Sequence, residues 1–336
     1  CGALVGDPRI EVLTHTEGGS SVVFAPGTLE DAAFVSFPRE HLIRRFGLAS
    51  GSVQTLDLRT LPLQGLTASP AARGEGPAME LEVPPVVPGA LGLDGSERVH
   101  ALFFVPGTLR SGVVELDTDT ALPLALAEEE GGCVPSTWDF HPLLHLVLTS
   151  CRDTPELGLY EPDLGRYLAH TPLSLTYGLA PMTVDPRSGG ILGLAPLRSP
   201  FLLRVDPQSG TPRGWRYLGS ANRAVVADPA GAVHVPRFLS RQVLSLDAGT
   251  LASVMVSRAG FAAATVAVSR RHVSVLSAST VDGRLYAARP GELSPPKTLR
   301  IGGGVRSLAV SPTGDTLLAA GFCGVVAVDL DRWLGE

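Results

Sequence analysis

The segment "VVAVDL" at residues 325–330 has counterparts along almost the whole chain. They are "VQTLDL" (53–58), "VVELDT" (113–118), "GLYEPD" (158–163), "LLRVDP" (202–207), "VLSLDA" (243–248) and "RLYAAR" (284–289). Aligned on the acidic position, the copies give Asp57, Asp117, Glu161, Asp206, Asp247, Ala288 and Asp329, at spacings of 60, 44, 45, 41, 41 and 41. A fixed period in this range marks a repeat architecture, in which each unit buries its apolar face against the next.

Other strands recur in phase. Candidate first strands are "SVVFA", "GALGLD", "STWDF", "PMTVD", "AVVAD", "ATVAV" and "SLAVS". Turns such as Asp185-Pro186-Arg187-Ser188-Gly189 follow them. Asp, Pro and Gly suit tight turns by bonding local backbone, pre-setting φ or allowing positive φ. A turn and a fourth strand such as "RGWRYLG" (213–219) complete the unit. Four short strands per unit predict an all-β, seven-bladed β-propeller with four-stranded blades. The last blade (304–331) shows only three strands, and an open edge invites unwanted pairing. "RIEVLTH" (9–15) is the expected fourth strand, which closes the ring with the chain's own start. Two departures stand out. "FPREHLIRRFGLASG" (37–51) reads as a long second-to-third connection in blade one, and residues 62–90 as a Pro/Gly-rich insertion. Residues 9–336 form the propeller and 1–8 a tether.

The pattern "AVSPTGDTLLAAGF…VVAVDL" resembles the YVTN-type, lactonase-like propeller repeat. The resemblance implies the fold and leaves function open, because that repeat serves enzymes, binding proteins and scaffolds alike. Metal-dependent propeller lactonases of this kind place Glu, Asn and Asp at the inner channel. This chain has a single asparagine, Asn222, so a multi-asparagine metal site is not expected, nor is another metal or cofactor. Cys1-Gly2 and the loose segment after it resemble a mature bacterial lipoprotein, released from a signal peptide and lipid-modified on Cys1. That resemblance implies a lipid anchor in the cell envelope, with the outer membrane favoured.

Charge and cysteines limit the remaining choices. The net charge of −6 argues against a nucleic-acid partner. If the first hairpin of unit three turns about residue 142, Cys133 and Cys151 fall opposite each other, where a disulfide is expected in an oxidising compartment. No Cys/His zinc spacing occurs.

Propeller loops fall into two sets. Second-to-third turns and blade-to-blade connections share one face; the other turns share the opposite face. The first set collects Arg39, Arg44, Arg45, Arg110, Arg152, Arg198, Arg223, Arg237, Arg241, Arg284 and Arg306, and also Arg258. The opposite set collects most aspartates, which turn chemistry explains. Turn chemistry does not require arginine, whose planar fork suits carboxylates and phosphates. A basic ring of this kind steers an anionic ligand or an acidic envelope protein toward the channel mouth. Phe46, Phe201, Phe238 and Phe261 are expected near that rim. The sequence therefore points to a non-catalytic, membrane-tethered binding scaffold. The alternative is a lactonase-like or other hydrolase with a site at His41, Asn222, Arg223 and Arg306.

Overall fold

A computed structural model of the chain describes residues 7–63, 86–108, 110–129, 135–151, 154–195, 200–219 and 223–335. Among these residues are seven four-stranded antiparallel sheets, the blades of a β-propeller. Their first strands are Ser21–Ala25, Val87–Leu93, Pro135–His141, Met182–Val184, Val226–Ala227, Ala263–Ser269 and Val305–Val310. Each overlaps the segment expected for it, and the strand Val87–Leu93 takes in the end of the segment 62–90 that was expected to be an insertion. In six blades the strands follow one another outward in chain order. In the seventh, Ile10–Thr14 pairs with Gly324–Asp329 and forms the outermost strand. The register runs Ile10 opposite Val328, Glu11 opposite Ala327 and Val12 opposite Val326. The expected closure is therefore present.

The apolar core is divided among the blade interfaces. Phe34, Ile43, Val99 and Val114 pack between blades one and two, and Leu102, Val147 and Tyr160 between two and three. Leu148, Leu157 and Ile191 fill the next interface, and Leu194, Val233 and Leu246 the one after. Blades six and seven share Leu276, Leu285, Leu317 and Trp333, the last from the short helix Leu330–Leu334. Blades seven and one share Leu318, Val325, Phe24 and Val35. The interface of blades five and six is the thinnest, built from Val243, Ala259, Ala263, Val266 and Val275.

Side-chain hydroxyls of the first strands accept backbone N–H bonds across blade junctions. Ser21 accepts from Leu91, Thr137 from Met182, Thr183 from Ala227 and Ser307 from Val22, at 3.0–3.3 Å. Each first strand has a strand neighbour on one side only, which leaves some of its N–H groups unpaired within its own blade. These hydroxyls satisfy that demand and fix each blade against the next.

Three sequence readings are corrected. "VQTLDL" is the fourth strand of blade one (Val53–Asp57), not its third. The segment 37–51 holds the true third strand, Leu42–Gly47, which pairs closely with Ala32–Phe37. Its central pair, Arg44 and Arg45, interrupts the apolar pattern and hides the strand. In unit three, Trp138 opposes Thr149 and Cys151 opposes Pro135, because the turn runs over residues 142–145. The register expected to place Cys133 across from Cys151 is thus not the one formed. Cys1 and Cys133 lie outside the described residues, as do 64–85 of the expected insertion. Cys151 and Cys323 are both disulfide-bonded.

Deleting residues 9–15 removes a paired strand together with the partly buried Ile10 and Val12. The melting temperature is expected to fall by about 5 °C or more. An unchanged calorimetric transition would contradict closure by this strand.

Candidate functional site

The second-to-third turns and blade-to-blade connections bring phenylalanine rings under arginine side chains. In the turn between Thr316–Gly321 and Gly324–Asp329, Phe322 is 40% exposed. Arg306 lies over its ring at 4.2 Å and Arg39, from blade one, at 6.0 Å. Arg223, in the connection from blade four to five, lies 4.7 Å from the centre of Phe238. Arg241 lies 5.8 Å from the centre of Phe261, which is 43% exposed. The quadrupole of each ring holds the cation and leaves its N–H edges toward water. Arg39, Arg223, Arg241 and Arg306 are exposed. Among the described residues none of the four has a carboxylate partner within salt-bridge distance.

Gly304 seats the Phe322 ring. Its φ is +70°, and a Cβ there would stand 2.0 Å from Phe322 Cδ2. This explains part of the Gly302-Gly303-Gly304 run, whose last residue must be glycine on two counts.

The expected basic ring forms only in part. Arg237 is half-buried and bonds Gln242 Oε1 at 2.9 Å. Arg284 opens the third strand of blade six and is exposed. Arg44 bonds Glu40 Oε2 at 3.0 Å and stacks on Phe37 at 5.0 Å, so its charge is compensated locally. Arg110 is ion-paired with Glu128. Arg152 and Arg198 lie outside the described residues. Arg45 does not belong to this face. It is 2% exposed, donates to the Thr118 carbonyl at 2.6 Å and lies 3.7 Å from Glu30. Thr118 and Glu30 sit in turns of the opposite face, so Arg45 is a buried strut between blades one and two. Phe46 is buried core, and Phe201 packs edge-on against Trp215 at the outer side of blade four. Sequence reasoning missed Phe322, although an aromatic in a two-residue turn between Gly321 and Gly324 has no strand position to bury it.

The residues of the hydrolase alternative are not brought together. His41 lies in blade one, where Nδ1 contacts the Val86 carbonyl at 3.1 Å. Arg223 precedes blade five, across the ring, and Asn222 lies outside the described residues. No group of three or more His, Cys, Asp or Glu side chains suited to a metal occurs among the described residues.

The opposite face is a set of self-satisfied turns. Asp117, Asp185, Asp206 and Asp247 each accept a backbone N–H from two or three residues ahead. Two positions add a histidine at the same spacing. Asp94 bonds His100 Nε2 at 3.0 Å, and Asp228 bonds His234 Nε2 at 3.2 Å, with Ser245 on the other His234 nitrogen. Burial on its own would raise the Asp94 carboxyl. Bonds from His100 and from the Arg98 and Ser96 amides outweigh it and hold the carboxyl at about 2. Burial pushes the His234 imidazole down. On the first strand of blade three, burial pushes the Asp139 carboxyl up, against bonds from Val184 N and Thr183 Oγ1 at 2.8 Å.

No protein-family model matches the chain, and no curated protein matches it. Many solved structures do. One is a chain of the "Crystal Structure of Mitotic Checkpoint Complex", with a TM-score of 0.68 at 12% identity. The match covers 97% of this chain and 95% of that one. At this identity the likeness shows the propeller fold alone.

The depressed Asp94 carboxyl sets a pH dependence. It stabilises the fold above the unfolded-state value near 4 and loses that contribution as pH falls toward about 2. In urea titrations, Asp94→Asn is expected to be less stable than the parent at pH 6, with the gap closing between about pH 4 and 2. A gap that stays constant over that window would contradict the assignment.

Proposed function

We propose that this propeller is a non-catalytic scaffold that holds an acidic protein partner on its arginine-bearing face. The observation that carries the reading is the set of exposed arginines stacked on phenylalanines without carboxylate partners among the described residues: Arg39 and Arg306 on Phe322, Arg223 on Phe238, and Arg241 on Phe261. Stacking preorganises long side chains that would otherwise lose rotamer freedom on binding. Arginine and aromatic side chains are also the residue types that dominate interface energies. The opposite face offers no equivalent, because its aspartates are occupied with their own turns. The chain carries −6 overall, so a cluster of uncompensated arginines concentrates positive potential on one side. Propellers serve widely as interaction platforms, and the structural neighbour named above belongs to a protein complex. That support is analogy at the level of fold.

The finer reading places the protein in a bacterial envelope, attached through lipid on Cys1 and descended from YVTN-type propellers. Two features support it: the Cys1-Gly2 sequence and the repeat pattern. A lipid thioether on Cys1 excludes a disulfide at the same sulfur. The intact mass of the native protein therefore separates the two: an acylated Cys1 supports the anchor, and a disulfide at Cys1 contradicts it.

The partner reading is tested by affinity capture from envelope fractions, comparing the parent with Arg39→Ser/Arg223→Ser/Arg306→Ser. All three side chains are exposed, so the melting curve is expected to move little. Capture of an acidic protein should weaken about tenfold or more, and fall with added salt in the parent. Capture that is indifferent to both the triple change and salt would contradict the proposal.

A further inference from the structure

The thinnest blade interface, between five and six, opens into a cleft on the arginine-bearing face. Small residues cause it. The connection Ala259-Gly260-Phe261-Ala262-Ala263 supplies little volume, and the core beneath is valine and alanine. Gly260 is held to its size by Tyr286, since a Cβ would stand 2.0 Å from ring atom Cε2. The opening measures about 360 Å3.

Its rim carries three arginines: Arg241 from the second-to-third turn of blade five, Arg258 from the end of that blade's outer strand, and Arg284 from blade six. All are exposed, and none has a carboxylate within salt-bridge distance among the described residues. Arg284 also stands directly opposite Arg300 in the strand pairing. Like charges in that position oppose folding, so Arg284 gains no local compensation from its cross-strand neighbour. Arg241 adopts φ +54°, as His145 does and His41 nearly does at the same position of their turns, and its guanidinium lies 5.8 Å from the centre of the Phe261 ring.

The outer wall is built by the segment 289–296. It folds back along blade five, where Arg258 N donates to Glu292 O at 3.1 Å and Gly291 N to Ser257 Oγ at 3.1 Å. It presents Pro295 and Pro296 to the cleft. These prolines offer no N–H donors, only an apolar, stiff surface. Phe261 forms a second apolar patch. Asp282 also lines the cleft and accepts from the Tyr286 hydroxyl, which burial first and that bond second push up to about 12. The phenol thus remains a hydrogen-bond donor at physiological pH.

We propose that this cleft binds an extended peptide segment of the acidic partner, taking a carboxylate side chain among Arg241, Arg258 and Arg284 and an adjacent apolar side chain against Phe261, Pro295 and Pro296. This deepens the scaffold reading and rests on it. The chemistry favours carboxylate over phosphate. Phosphate sites gather backbone N–H groups at a helix N-terminus or a nest, and here two wall residues are prolines. Asp282 further disfavours a dianion more than a singly charged group. Three planar forks spaced around an apolar floor match carboxylate and side chain in succession along an extended chain.

The test uses fluorescence anisotropy on the full chain with a labelled peptide alternating glutamate and leucine. Its glutamine counterpart and inorganic phosphate serve as comparison probes. Arg241→Asn/Arg284→Ser should weaken glutamate-peptide binding about tenfold or more, and Phe261→Ala by several-fold. Asparagine is chosen at 241 because it tolerates positive φ. Both variants should keep the parent melting curve. The glutamine peptide should not bind measurably. Four results would overturn the assignment: no binding of the glutamate peptide, equal binding of the glutamine peptide, displacement by phosphate beyond that of chloride at equal ionic strength, or indifference to the cleft variants. If the cleft variants are silent but Arg39→Ser/Arg223→Ser/Arg306→Ser abolishes binding, the cleft assignment fails and the face-wide reading stands. If both sets are silent, both fail.

Discussion

The pairing of Ile10–Thr14 with Gly324–Asp329 is the constraint on which the rest of this molecule depends. A ring of blades has no central core. Each blade is held by its two neighbours, so a single open interface would release both. Antiparallel pairing between the two ends of the chain removes the last free edge and joins local blade stability into a closed cycle. Every other feature, including the arrangement of loops on the two faces, inherits its position from that closure.

Within the ring, two kinds of contact divide the work. Apolar residues of the middle strands fill wedge-shaped interfaces, and first-strand hydroxyls take up N–H groups of the adjacent blade. Ser307 accepting from Val22 is the hydroxyl counterpart of the strand closure, since it joins blades seven and one from the axis side. The wedges are not equal. Leucine and phenylalanine fill most of them, whereas alanine and valine leave the junction of blades five and six open at one face. The cleft and the propeller therefore share one physical origin, incomplete filling of a packing interface.

Much of the fold was legible because its signal is repetitive. The acidic turn positions recur at a nearly constant spacing, and Asp, Gly and Pro announce the turns for backbone reasons. The failures arose where a distant partner overrides the local pattern. Arg45 sits mid-strand and buried because Glu30 and the Thr118 carbonyl receive it, and neither is visible as a partner in the sequence. The third strand of blade one was missed with it. In unit three the turn takes four residues, 142–145, and this shifts the register from the one that aligned Cys133 with Cys151. The candidate site was legible as a bias of arginine toward one set of loops. It was not legible as geometry. Which arginines stay open and which are compensated, as Arg44 is by Glu40, follows from contacts that only the folded ring creates. The cleft likewise joins Arg241, Arg258 and Arg284 with the folded-back segment 289–296, which no local pattern announces.

The central claim is that one face of the ring, and not the other, receives an acidic partner. Amide hydrogen exchange with and without saturating glutamate-leucine peptide, or the captured partner, tests it most directly. The account predicts added protection in the connections and turns at 238–241, 259–262 and 280–283, extending to 301–304 for the full partner. The aspartate turns at 94–98, 185–190 and 206–211 should be unchanged. Protection concentrated in those aspartate turns, with none around Phe261, would contradict it.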